Sequence, residues 1–133
     1  MVKLDKIYTR GGDAGETSLG DGSRVAKNSS RIIAQGDIDE TNAVIGLARC
    51  SADDSKLNAL LARVQNDLFD LGADLTRPGD NHEDGRLRIQ PAQVERLELE
   101  IDAANEVLEP LKSFIIRGGT DLAANMHFAC SVC

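Results

Sequence analysis

Thr9-Arg10-Gly11-Gly12-Asp13-Ala14-Gly15-Glu16-Thr17-Ser18 concentrates glycine, hydroxyl and cation where almost nothing is apolar. Neither a helix nor a strand interior is built this way. Glycine reaches positive φ without a Cβ clash, so the run can turn several backbone N–H groups toward one point. The hydroxyls of Thr17 and Ser18 add donors, and Arg10 adds a planar cation suited to phosphate oxygens. The chemistry is that of holding a polyphosphate. Read alone, the stretch also fits a glycine-rich surface turn. It is not the common nucleotide loop, whose G-x-x-x-x-G-K-[ST] spacing brings a lysine to the phosphates. Here Gly15 is followed by Glu16 and Thr17, so positive charge must come from elsewhere.

Other residues invite chemistry less strongly. Asp37, Asp39 and Glu40 form an acidic group that fits a metal site, an acid/base pair, or a solvated N-terminal helix turn whose acids the helix dipole favours. Asp39, Asn42 and Gly46 recur at three and four residues, so they share a helix face that is polar and partly bare. His127-x-x-Cys130-x-x-Cys133 has soft ligands at three-residue steps, but no fourth ligand is evident. Small thiols on a packed helix face are the plainer reading. His82 reads as a solvated loop residue, and Lys27 by itself as a surface lysine.

The elements that must position these groups are helical. Ser29 or Ser30 can cap a helix over 30–49, with Ala34, Ile38, Ile45 and Ala48 at helical spacing. A second helix over 54–75 opens at Asp53-Asp54-Ser55. Its Leu57, Leu60, Leu61, Val64, Leu68, Leu71 and Leu75 form the strongest periodic signal in the chain, and that pattern is core packing. Residues 76–90 read as a polar loop. Pro91 suits the first turn of a third helix over 91–108. There Val94, Leu97, Ile101, Ala104 and Leu108 give a heptad-like seam, and Pro110 ends it. Thr120 can cap a fourth helix over 120–133 lined by Leu122, Met126, Ala129 and Cys133. Residues 1–29 read as an irregular arm, with a second turn at Gly20-Asp21-Gly22-Ser23.

Composition sets the bounds. A chain of 133 residues is one domain by size. Aromatics are only 3% of it, so the core must be aliphatic. A net charge of −7 argues against nucleic acid or an anionic membrane as partner. Residues 1–31 carry six Lys/Arg against four acids, leaving −9 on the remainder. A basic arm on an acidic body suits a small anionic ligand. No leader or membrane-spanning run is visible, and three cysteines fit reduced thiols in a cytoplasm.

Three motifs now combine. Lys6-Ile7-Tyr8-Thr9 leads into the glycine run, Gly36-Asp37-Ile38-Asp39-Glu40-Thr41-Asn42 follows, and Phe114-Ile115-Ile116-Arg117-Gly118-Gly119-Thr120 comes later. In this order they resemble the PduO-type ATP:cob(I)alamin adenosyltransferases. The resemblance implies an all-α helix bundle with a glycine-rich N-terminal arm, four of the family's five helices being present and the fourth truncated. It implies a single domain over 1–133, with the arm at 1–29 and the bundle at 30–133. Partners would be ATP with Mg²⁺, cob(I)alamin as second substrate, two further copies in a homotrimer, and a corrinoid reductase or a cobalamin-dependent acceptor enzyme.

By motif match the nucleotide contacts are Thr9, Arg10, Gly11, Gly12, Thr17, Ser18 and Lys27. Asp39 and Phe114 would serve the reaction and Asn42 the corrinoid side. No residue is assigned as a metal ligand. Phe114 would crowd the lower face of the corrinoid, or else be a core phenylalanine. The chain departs from the family in two positions and at its end. A mobile cation, Arg117, replaces a rigid proline. Cys130 stands where an arginine pairs with the acid matched by Asp39. The sequence stops before the family's R-R-A-E-R run. These departures imply weak activity for the chain alone, or a non-catalytic remnant that binds nucleotide or pairs with a complete subunit.

Overall fold

The computed structural model describes residues 6–79, 85 and 87–133. Four helices carry the architecture: α1 Ser30–Cys50, α2 Ser55–Leu75, α3 Pro91–Asn105 and α4 Asp121–Val132. Expected and observed helices agree within one or two residues, except at the end of α3. His82 lies outside the described residues.

The core forms where α1 meets α2 and α4. Val44, Ile45, Leu61 and Ala129 are buried there, with Leu57, Leu60, Val64, Leu68, Met126 and Val132 packed around them. Ala48 is wholly buried, which allows a close approach of helix backbones. Polar bonds fix the α1–α2 register. Asn42 Nδ2 donates to the Gln65 carbonyl (3.1 Å), and Gln65 Nε2 donates back to the Asn42 carbonyl (2.9 Å). Arg49 donates to Asn58 Oδ1 and Gln65 Oε1. Arg31 Nη1 donates to the Leu75 carbonyl at 2.8 Å, satisfying one carbonyl at the α2 C-terminus.

Caps follow the sequence in part. Asp54 accepts from Lys56 N–H, Thr120 accepts from Ala123 N–H, and Gln90 with Gln93 closes a capping box behind Pro91. Ser29 stands at the α1 N-cap, yet its hydroxyl makes no cap bond. The acids Asp37, Asp39 and Glu40 lie beyond the first turn of a helix that begins at Ser30, and that turn holds no acid. The dipole reading of them therefore fails, because the effect fades within one turn.

The seam on α3 differs from its expected form. No residue of α3 is buried, and Val94, Ile101 and Leu108 are all more than half exposed. Long charged side chains hold α3 to α2: Arg63 with Glu100, and Arg96 with Asp67, which also accepts from Gln93. Reaching across with such side chains leaves apolar clefts of about 150 and 210 Å³ beneath Leu97. Past Asn105 every side chain through Arg117 is exposed. With nothing to pack against, the helix stops before Val107 and Leu108, ahead of Pro110. Cys130 on α4 and Cys133 just past its end are exposed rather than packed.

The arm is not wholly irregular. Strands β1 Glu16–Ser18 and β2 Arg24–Ala26 pair antiparallel, with Thr17 opposite Val25 and Ser18 opposite Arg24. Gly20-Asp21-Gly22-Ser23 forms the turn between them, closed by Leu19 N–H to the Ser23 carbonyl at 2.8 Å. Asp21 Oδ1 accepts from both Ser23 N–H and Ser23 Oγ. A two-stranded hairpin is marginal alone, and this one is anchored. Leu19 is buried, and Gly20 N–H donates to the Thr76 carbonyl at 2.7 Å. A Cβ on Gly20 would stand 2.8 Å from Thr76 Oγ1, so the approach requires glycine.

Candidate functional site

The hairpin docks by its β1–β2 turn on the C-terminal end of α2, and the glycine run leads into its first strand from the opposite end. Two bonds shape the turn, Asp13 N–H to the Arg10 carbonyl (3.2 Å) and Gly15 N–H to the Gly12 carbonyl (3.1 Å). A third, from Lys27 N–H to the Gly15 carbonyl (2.8 Å), ties it to the end of β2. Arg10 has φ +60, the one non-glycine residue in the left-handed region among those described. Such a backbone is costly for a side chain with Cβ and persists only where its surroundings hold it. The Arg10 guanidinium lies 5.7 Å from the Tyr8 ring centroid, within cation–π range.

Lys27 is drawn into the same turn. Its Nζ lies 2.9 Å, and its Cε 3.0 Å, from where a Cβ on Gly12 would stand. The missing side chain of Gly12 is therefore the space in which the Lys27 ammonium rests. Among the described residues, Gly12 N–H makes no backbone hydrogen bond. A donor without a backbone partner and an ammonium thus lie together at Gly12, while the Arg10 guanidinium, two residues earlier, is exposed beside the Tyr8 ring.

Thr17 and Ser18 do not act from one side. Successive strand residues face opposite ways, and here Thr17 is half-buried while Ser18 is exposed. The Ser18 hydroxyl accepts from Arg24 Nη1 at 3.2 Å. Thr9 is exposed beside Arg10, and its Oγ1 lies 3.7 Å from where a Cβ on Gly11 would stand.

Asp39 lies next to the arm's anchor. With Gln35, Phe69, Gly72, Ala73 and Thr76 it lines a depression of about 160 Å³, and Thr76 is also the residue Gly20 docks on. The Asp39 side chain is exposed and, among the described residues, its carboxylate makes no hydrogen bond or ion pair. Asn42 sits on the same α1 face but is engaged by Gln65.

Phe114 is fully exposed, which removes its core reading. It stands in the segment between α3 and α4. Arg117 Nη1 donates to Ser131 Oγ, and Ser131 Oγ donates to the His127 carbonyl at 2.8 Å. Arg117 therefore has a side-chain partner on α4 in this structure. Ser131 is eleven residues past Thr120, about 16 Å along a helix axis, so the segment runs back alongside α4.

The sequence reading missed Arg24 and the Gly20–Thr76 dock. β-branched Thr17 and Val25 on either side of Gly20-Asp21-Gly22-Ser23 were the available hairpin signal. No group of three His, Cys, Asp or Glu could hold a metal among the described residues. None of their helices is long and apolar enough to cross a membrane.

Comparison with known proteins is consistent with this geometry. A family model described as Cobalamin adenosyltransferase matches residues 7–133. The chain is 47% identical over 133 residues to the corrinoid adenosyltransferase of Mycobacterium tuberculosis strain H37Rv, covering 98% of this chain and 69% of that protein. It is 41% identical over 123 residues to the corrinoid adenosyltransferase PduO of Salmonella typhimurium, covering 92% of this chain and 37% of that protein. A solved variant of the PduO-type ATP:corrinoid adenosyltransferase from Lactobacillus reuteri, complexed with cobalamin and ATP, superposes with a TM-score of 0.86. It shares 33% identity and covers 96% of this chain and 71% of that one.

Proposed function

Because the chain belongs to the cobalamin adenosyltransferase family, we propose that it transfers the 5′-deoxyadenosyl group of ATP to a cob(I)alamin-type corrinoid. The electron pair of the reduced cobalt forms the bond to C5′, the C5′–O bond breaks, and inorganic triphosphate leaves with the two electrons of that broken C–O bond. No proton moves at the reacting carbon, so no general acid or base is required. The work of the chain is positioning and charge neutralisation.

The observation that carries this reading is the Lys27 ammonium resting beside Gly12. Triphosphate gathers charge as it leaves, and Lys27, Arg10 and the free Gly12 N–H are the donors available to it. The turn from Thr9 through Gly12 and the hydroxyls of Thr17 and Ser18 complete the nucleotide side. Mg²⁺ would come with the nucleotide, its charge offsetting that of the phosphate oxygens.

On the corrinoid side, Phe114 is free to press on the lower face. Asp39 borders the depression next to the arm, and Asn42 acts by holding α1 to α2. This reading takes 1–133 as one domain, its arm at 1–29 serving the nucleotide and its bundle at 30–133 the corrinoid. It also takes the working form to be a cytoplasmic homotrimer with nucleotide between subunits, supplied by a corrinoid reductase or feeding a cobalamin-dependent acceptor enzyme. The test is spectral conversion of cob(I)alamin to adenosylcobalamin under reducing conditions, with triphosphate measured in equal amount. Conversion without triphosphate release would contradict the reaction as written.

A further inference from the structure

We propose that Arg24 is a positioning residue for the phosphate-holding turn, an inference that rests on the nucleotide reading of the arm. Arg24 stands opposite Ser18 in the hairpin register and reaches back across it. Its Nη2 donates to the Gly11 carbonyl at 2.8 Å, thirteen residues away in sequence, and its Nη1 donates to Ser18 Oγ at 3.2 Å. Its Nε lies 3.8 Å from Glu16 Oε2, which steadies the plane of the guanidinium. One side chain therefore ties the glycine turn to the strand that follows it.

The consequence falls on Gly12. A peptide unit is planar and trans, so its C=O and N–H point in opposite directions. Fixing the Gly11 carbonyl on Arg24 aims the Gly12 N–H away from Arg24. That N–H has no backbone partner among the described residues, and the Lys27 ammonium rests beside the same residue. Gly11-Gly12 is the most pliable dipeptide in the turn, since two glycines lose the most freedom on ordering. Without the tether this peptide plane can rotate and the donor loses its aim. Arg24 acts through Gly11 by preorganising the turn before nucleotide arrives. A lysine cannot reproduce this, because its ammonium is a point charge and lacks the rigid fork that reaches two acceptors at once.

The experiment uses the full chain and three variants: Arg24→Ala, Arg24→Lys and Glu16→Gln. Millisecond hydrogen–deuterium exchange without ligand reads the turn, and calorimetry with ATP and magnesium reads the site. Helical circular dichroism checks that the bundle is intact. Arg24→Ala is expected to speed amide exchange in residues 10–15 and to weaken ATP·magnesium about tenfold, as for the loss of one charge-assisted hydrogen bond. Arg24→Lys is expected to behave like Arg24→Ala although it keeps the charge. Glu16→Gln, which loosens only the Nε side of the guanidinium and leaves the Gly11 contact in place, should change either readout less than threefold. In turnover, KM for ATP should rise while KM for the corrinoid stays.

Full ATP affinity in Arg24→Lys would overturn the inference, because charge alone would then suffice. Unchanged exchange in Arg24→Ala, with ATP binding normally to the wild type, would overturn the inference and leave the nucleotide reading standing. Absence of ATP binding in the wild type would overturn both.

Discussion

The bundle and the arm are held by different physics. In the bundle, Val44, Ile45, Leu61 and Ala129 meet across three helices with their apolar surface removed from water. Among the described residues of the arm nearly everything is exposed, and Leu19 is the one buried apolar side chain. The shape of the arm comes instead from single bonds at stated points: Gly20 on Thr76, Arg24 on Gly11, and Lys27 on Gly15. Apolar packing is non-directional and spreads its stabilisation over many contacts. Directional bonds on an exposed loop add little stability, but they fix where a donor points. A site that must cradle triphosphate needs the second kind of order, and a scaffold needs the first.

The contrast is broken most forcefully from the scaffold side. Leu61→Ala should cost about 2–5 kcal/mol, the usual range for a buried leucine truncated in a core. Urea unfolding would read this as a lower midpoint. If instead the midpoint holds while ATP affinity falls, the division of labour is wrong. Gly20→Ala comes next. The new Cβ would meet Thr76 Oγ1 at 2.8 Å and the Thr76 carbonyl at 3.3 Å, and overpacking of this kind costs about 1–3 kcal/mol. The cost should appear as faster exchange in residues 16–26, with the helices unchanged in circular dichroism.

Gly12→Ala sharpens the comparison from the other side. The added methyl displaces Lys27 and presses on the Glu16 carbonyl at 3.1 Å. ATP·magnesium affinity should fall about tenfold, or 1.4 kcal/mol, with stability unchanged. Phe114→Ala should have the smallest effect on the fold. A fully exposed side chain contributes within about 0.5 kcal/mol to stability, and ATP binding should be intact while adenosyl transfer slows. A large drop in melting temperature would mean that Phe114 packs somewhere after all.

How far the sequence could be read follows the same divide. The leucines of α2 step by threes and fours, with Leu61 buried and the rest of the row at least partly covered, so existence, type and approximate ends of the helices were legible. The same spacing on α3 misled. Periodicity reports that a face is apolar, not that a partner covers it. Val94 and Ile101 remain exposed because Arg63, Arg96 and Glu100 hold α3 at side-chain length. In the arm, residue types announced phosphate chemistry, and Gly12 and Lys27 do come together, while Arg10 turns to the Tyr8 ring. The hairpin did not announce itself, because three-residue strands are too short for alternation to stand out. Arg24 counted only as a charge, since a tie to Gly11 depends on a register that no local pattern carries. The Arg117–Ser131 contact was hidden for the same reason: Ser131 is a neighbour only once the segment folds back along α4.

The most direct test of the central claim is a calorimetric titration of ATP with magnesium into the wild-type chain, Lys27→Ala and Thr17→Ala. Lys27 and Thr17 are both exposed or half-buried on the arm, so neither change should disturb the helices. Measurable wild-type binding that weakens at least tenfold in Lys27→Ala, and less in Thr17→Ala, is the predicted result. Wild-type binding that both variants retain unchanged would contradict the account and leave the arm as a surface turn.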